Sequence, residues 1–295
     1  MVLGSFWFSV MSLLVKLAGR GLPTMEVVLV RGLLTLALSA AIVWRGGFAP
    51  FGSRATRPLL LARGVVGSVA LSCFYASIVH LPLAEASVIQ YTNPIFTAVL
   101  AAAVLRERIG WREVAGVLAG LAGVILIARP AALFGGATRL DPHYLAIALV
   151  GAFCSATAYV VIRAIGGREH PQVVVLWLPM LTVPMTAPFA LADWRWPSAR
   201  QALLLLAVGV TTQLGQLELT RGLQRERAGR ATAIGYVQIV FSALWGVLVF
   251  GERPGLWTLA GSVIILGSTL AIAASRTVAP RRARIELPEP APADG

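Results

Sequence analysis

The chain has 295 residues, of which 57% are hydrophobic and only 13% charged, with a mean hydropathy of +0.78. That balance excludes an ordinary soluble domain, which needs more polar side chains to face water. A net charge of +12 would suggest a nucleic-acid partner in a soluble chain, but here nearly every cation is an arginine in a short connection beside an apolar run, a topological signal.

Ten apolar runs follow one another, at about 2–19, 26–44, 59–79, 84–105, 111–128, 143–163, 173–190, 201–222, 230–250 and 256–274. Each has about the 20 residues that a helix needs to cross roughly 30 Å of hydrocarbon. The runs are continuous and rich in Leu, Ala, Val and Gly, whereas a spanning β-barrel would alternate apolar and polar positions. No basic region precedes the first run and no small-residue cleavage site stands out, so this run is expected to stay as a helix. With the N-terminus in the cytoplasm, 17 Lys and Arg fall on that side, among them Arg45, Arg57, Arg63, Arg106, Arg163 and Arg227. Seven fall on the other side, Lys16, Arg20, Arg129, Arg139, Arg195, Arg200 and Arg253, and Arg31 lies inside a run. Both termini are therefore expected in the cytoplasm, with the protein in the cell inner membrane. The Pro- and Ala-rich tail, 276–295, is expected to be disordered, and Cys73 and Cys154 to act as small apolar fillers.

Sliding the chain by 145 residues lays the fourth and fifth runs on the ninth and tenth. Tyr91 falls on Tyr236, Phe96 on Phe241, Glu107 on Glu252, Arg108 on Arg253, Gly110 on Gly255 and Gly116 on Gly261. Each copy holds five runs, an odd number, so the second copy must cross the membrane in the opposite sense. The charges agree: IVHLPLAEA, before the fourth run, has no Lys or Arg, while its counterpart GLQRERAGR is strongly basic. Inverted repeats around a midplane site are the usual build of a secondary transporter.

The order Pro82-x-Ala84, Tyr91-x-x-Pro94-x-Phe96, Leu105-x-Glu107-Arg108-x-Gly110-Trp111, then a glycine-rich helix with Gly116, Gly120 and Gly123, resembles an EamA-type permease of the drug/metabolite transporter superfamily. The second copy departs from it with Ile239 in place of Pro94. The resemblance spans about residues 1–275 and looks closest to bacterial amino-acid exporters. It implies an all-α integral membrane protein of ten transmembrane helices in two five-helix inverted repeats, residues 1–129 and 143–275. It also implies export of amino acids, aromatic or other apolar ones among them, or of related metabolites, by a monomer or homodimer in the bilayer. No cofactor, metal or nucleic acid is expected. A membrane-embedded enzyme would need a catalytic set, and no HExxH, paired midplane carboxylates or Ser/His/Asp group is present.

Polar side chains inside lipid are costly and mark either satisfied contacts or a solute path. In QYTNP, from Gln90 to Pro94, the proline lacks an N–H and frees the Gln90 carbonyl, while Asn93 shares a face with Gln90 beside Tyr91. The ninth run repeats the pattern with Tyr236 and Gln238. The competing reading is a kink whose amides bond across a helix interface. Facing candidates are Ser155 and Tyr159, Trp177, and Thr212, Gln213 and Gln216. Tyr75, Trp7 and His80 complete the set, the last fitting a helix end as well as a solute contact. Aromatic walls with amides and hydroxyls suit a neutral or zwitterionic solute.

Arg31 is expected either to snorkel and pair with carbonyls or to gate. Glu218 and Arg221, three apart, form an ion pair, and Glu107 and Glu252 tie loops to helix ends. Without a clear midplane carboxylate, a facilitator or exchanger is favoured over a proton-driven pump. Gly116-x-x-x-Gly120, with Gly261 and Gly267, allows close helix packing inside the bundle or between two copies. Pro94 predicts a kink in the fourth run and none in its partner, the ninth.

Overall fold

The computed structural model describes residues 1–18, 22–81, 83–107, 110–128, 134, 141–251 and 255–274. The expectations for Arg20, Arg108, Arg129, Arg139, Glu252, Arg253 and the tail lie outside the described residues. Helix fills the apolar runs, and no strand occurs among the described residues. The helices are α1 (Val2–Ala18), α2 (Thr24–Arg45), α3 (Arg57–His80), α4 (Leu83–Gln90), α5 (Asn93–Leu105) and α6 (Trp111–Ala128). After them come α7 (Pro142–Ile165), α8 (Pro171–Ala192), α9 (Ala199–Arg225), α10 (Ala228–Ile234), α11 (Val237–Phe250) and α12 (Leu256–Ala274). Eight helical stretches are long and apolar enough to cross a membrane, and Val2–Ala18 and Leu256–Ile272 are shorter apolar helices.

Local chemistry starts several of them. Asp141 accepts the His143 N–H to cap α7, and Ser198 with Gln201 forms a reciprocal capping box at α9. Proline stands in the first turn of α3, α5, α7 and α8, where its missing N–H leaves no ladder bond unmade.

The fourth and ninth runs are each broken into two helices, α4–α5 and α10–α11. The first break is the one that Pro94 forecast: the Thr92 N–H turns to the Ile89 carbonyl and the Ile95 N–H to the Thr92 carbonyl, each at 3.0 Å. The second corrects the expectation of an unkinked partner. Gly235 (φ −58°, ψ −24°) and Tyr236 (φ −58°, ψ −26°) adopt 3-10 dihedrals, with i to i−3 bonds from Gly235 to Thr232 and from Tyr236 to Ala233. A side chain at Gly235 would meet the Thr232 carbonyl oxygen at 2.8 Å, so glycine permits the tight turn that proline imposes in the first copy.

Helix packing follows a regular exchange. The main partners are α3 with α7, α1 with α9, α2 with α8 and α6 with α12; next come α3 with α8, α2 with α9, α5 with α7 and α1 with α11. Advancing every label by six, and returning to the start after α12, turns each of these pairs into another of the set or into itself.

The glycines of α6 serve this packing. Gly116 lies against Ile272, Gly120 beneath the Tyr236 ring, and Gly123 against the Gly261 carbonyl, at 2.8 Å from where its Cβ would stand. Gly261 meets the Gly123 carbonyl reciprocally at 2.6 Å, whereas Gly267 has nothing within 4 Å. These contacts bring α6 and α12 together inside the bundle.

Candidate functional site

The connections near Arg45, Leu105, Ile165 and Arg225 converge on one face. There Glu107 takes a 2.7 Å ion pair from Arg163 and accepts the Ala228 N–H at 3.1 Å. Arg227 pairs with Glu113 at 2.8 Å, Glu169 accepts the Ser53 N–H at 2.8 Å, and Gln224 donates to the Glu169 carbonyl at 3.1 Å. Glu107 thus ties helix ends as expected, and Glu218 pairs with Arg221 at 2.6 Å. On the opposite face the fully buried Glu26 accepts the Arg195 N–H at 3.0 Å.

Between α2, α3, α8 and α9 lies a small cavity of about 20 Å³, room for about one water molecule. Its walls are Val28, Arg31, Gly32 and Thr35 of α2, Leu71 of α3, Val175, Leu178, Pro179 and Thr182 of α8, and Thr212 and Gln216 of α9. Several of these polar groups are already satisfied: Thr35 bonds back to the Arg31 carbonyl at 3.0 Å, and Thr182 bonds Leu178 O at 2.9 Å and the Ser68 hydroxyl at 2.8 Å. Others are not. Thr212 Oγ1 and Gln216 Oε1 are buried with no protein partner, and four residues apart on α9 they share a face. Pro179 has no N–H to give the Val175 carbonyl, so a proline beside the cavity frees a backbone acceptor here, in α8 and not in the fourth run. Arg31, 8% exposed, gives one N–H to the Tyr75 hydroxyl at 3.3 Å and has no ion pair among the described residues.

Thr212 and Gln216, with Tyr75 joined through Arg31, are thus the sequence-derived candidates that the structure gathers at one cavity. A second group meets at the helix breaks. The buried Tyr236 gives its hydroxyl to the Tyr91 carbonyl at 3.0 Å with ring centroids 6.0 Å apart, and Asn93 donates to the Ser155 hydroxyl at 3.4 Å. Gln90, Gln238 and Tyr159 are half-buried, the last against the main apolar core.

Four candidates are held elsewhere. Trp177 donates to the Pro50 carbonyl at 3.2 Å and packs in the core. Gln213 is saturated by the Ser39 hydroxyl and Gln172, each at 3.0 Å. His80 is exposed and stacks on Tyr144 at 3.9 Å, the helix-end role. Trp7 sits edge-on to Phe6, and Trp245 instead links α11 to α1 through Ser9 at 3.0 Å.

Sequence reasoning missed Arg63, counted among the loop cations. It is 3% exposed inside α3 with Nε unpartnered, and its depth within the 59–79 run was the available signal.

A wider cleft of about 120 Å³ lies between α5, α6 and the start of α10. Its walls are mostly aliphatic, Val99, Val114 and Leu118 face outward, and its charged rim, Glu107, Glu113 and Arg227, is engaged in the ion pairs above. A lipid-facing groove explains it better than a polar solute site.

A multi-pass helical bundle around a small polar cavity defines a membrane transporter of small molecules. The comparisons agree. The chain belongs to the EamA-like transporter family, whose model matches residues 1–129 and 143–274. It is 35% identical to the pseudopaline exporter CntI of Pseudomonas aeruginosa over 94% of each chain. It is 28% identical to solute carrier family 35 member G1 of Homo sapiens, over 92% of this chain and 77% of that one. A solved crystal structure at 21% identity shares the fold, with a TM-score of 0.79 over 92% of this chain and 93% of the other. These names describe transporters and not enzymes.

Proposed function

We propose that the protein exports amino acids, or related small metabolites, across the inner membrane by alternating access around the α2/α3/α8/α9 cavity. The observation that carries this reading is the pair of unsatisfied acceptors, Thr212 Oγ1 and Gln216 Oε1, in a cavity lined midway along its helices. Buried polar atoms without partners are costly, and a solute with N–H or O–H groups would satisfy them.

In this reading ten helices form two five-helix inverted halves, residues 1–129 and 143–275, with both termini cytoplasmic. The exchange of packing partners and the breaks within one residue of the same register in each half support the inversion. The ion pairs of Glu107 with Arg163 and Glu113 with Arg227 then close the cytoplasmic side, and the Glu26 to Arg195 contact closes the other. Rocking at the 3-10 breaks would release one set while keeping the other. Tyr91, Asn93, Ser155, Tyr236 and Gln238 belong to this moving junction, beside the solute path. The 35% identity to the pseudopaline exporter favours a second reading, export of a metabolite of that kind.

The test is efflux from proteoliposomes loaded with a panel of the 20 amino acids and pseudopaline, with and without a pH gradient. Thr212→Val and Gln216→Leu should each weaken apparent affinity roughly two- to tenfold, the value of one hydrogen bond. Flux unchanged by both removes the solute from this cavity.

A further inference from the structure

Two buried guanidiniums point to the chemistry of the solute. Arg31 lines the cavity with one N–H on Tyr75 and no carboxylate near it among the described residues. Arg63, 3% exposed, has an unpartnered Nε, and its Nη1 occupies the space where a Cβ on Gly67 would stand, next to Leu178 of the cavity wall.

Arg63, Gly67, Leu71 and Tyr75 follow at every fourth position, a row that drifts about 40° per step and so winds about 120° around α3 from Arg63 to Tyr75. Leu71 belongs to the cavity wall, and Tyr75 meets Arg31. That row places the Arg63 guanidinium, at Gly67, and the Tyr75–Arg31 pair on either side of Leu71 of the cavity wall. From Gly67 to Tyr75 it covers about 12 Å of helix at roughly 1.5 Å per residue. Arginine stays protonated at physiological pH, and a buried cation without a counter-ion is strongly disfavoured.

We propose that the solute carries a carboxylate, and that Arg63 of α3 and Arg31 of α2 are its successive counter-ions. The inference rests on the reading of this cavity as the solute site. Arg63 lies nearer the arginine-rich face, where α3 begins, and receives the carboxylate first; Arg31 holds it at the cavity. A planar guanidinium fork matches a carboxylate in two parallel hydrogen bonds, which gives discrimination as well as attraction. Gln216 Oε1 is an acceptor and suits the ammonium of the same molecule, so the cavity as a whole fits a zwitterion.

The experiment uses the purified full-length protein and three probe panels: the 20 amino acids, their C-terminal amides and their decarboxylated amines. Binding is read as thermal stabilisation, and flux in proteoliposomes. The wild type should bind at least one acid about tenfold or more tighter than its amide. Arg31→Gln should bring the acid down to the level of the amide, and Arg31→Lys should restore part of the preference. Arg63→Gln, and Gly67→Ala, which displaces the guanidinium without removing its charge, should slow flux while leaving affinity within about twofold. The rescue by Arg31→Lys separates the charge from a merely structural role, because a structural role of the guanidinium would not return the acid-over-amide preference.

Equal binding of acid and amide by the wild type, or a preference that survives Arg31→Gln, overturns the carboxylate assignment and leaves the transport reading standing. Unchanged flux in Arg63→Gln overturns the relay. If neither acids, amides nor amines bind or move, the amino-acid transport reading itself fails, and this inference with it.

Discussion

Tyr91 and Tyr236 occupy equivalent positions in the sequence repeat, yet their hydroxyls should differ in worth. The Tyr91 carbonyl would ordinarily take the Ile95 N–H, but at the break that N–H goes to Thr92 at 3.0 Å, and the Tyr236 hydroxyl fills the gap at 3.0 Å. Tyr236→Phe keeps the ring, 1% exposed and seated over Gly120, and removes only this donor. A buried carbonyl left unpaired costs about 1–3 kcal/mol, and hydrogen bonds between membrane helices are worth roughly 0.6–1.7 kcal/mol, so about 1–2 kcal/mol is expected. At roughly 2–4 °C per kcal/mol, the melting midpoint in detergent should fall by about 2–8 °C. Tyr91→Phe removes a hydroxyl with no hydrogen bond among the described residues and should shift it little. Thermal unfolding of the two single variants, with amide hydrogen exchange at residues 89–96, measures both. Equal effects at the two tyrosines would refute the reasoning, because they would mean that the hydroxyl bond does not support the break.

Glu107→Gln should cost about 1–3 kcal/mol in denaturant unfolding, since it removes the negative charge beside Arg163, in a pair only 13% exposed on each side, and leaves one carboxylate acceptor fewer for Arg163 and the Ala228 N–H to share. The same variant should raise the accessibility of a cysteine placed near Gly67 of α3, because one closing pair of that face is gone. Gly123→Ala should destabilise by about 1–3 kcal/mol by forcing α6 from the Gly261 carbonyl and Ile265, while Gly267→Ala, in open space, should not. At Glu169, outside the helices, partial burial pushes the carboxyl up, but hydrogen bonds from Ser53 and Thr56 and the nearby Arg168 bring it below the usual carboxylate range overall. A depressed value means the contact is fully present above the unfolded range, about 4.3, and is lost as pH falls through the folded value. Exchange protection of the Ser53 amide should therefore persist at pH 5 and vanish at lower pH, and Glu169→Gln should remove that pH dependence.

The sequence by itself determined where the helices run, because a backbone in lipid must bond within its own segment and a span needs a fixed length of apolar residues. It also determined the repeat and the first break, since Pro94 lacks its N–H whatever surrounds it. The Glu218 contact was legible for a local reason, since Arg221 stands one turn further along the same helix, whereas the partner of Glu107, Arg163, comes from the end of α7 and was legible only as a cation on the same face. The second break was not legible, because Gly235 permits a tight turn and only the burial of Tyr236 against Tyr91 and Gly120 requires one. The site was half legible. Gln213 and Gln216 look alike along α9, but Gln213 is consumed by Ser39 and Gln172 while Gln216 keeps a free acceptor at the cavity. Whether a polar atom is satisfied is a property of pairs brought together across the bundle, and so the tertiary structure alone decided that Arg31 of α2 and Arg63 of α3 lie buried with no ion pair among the described residues.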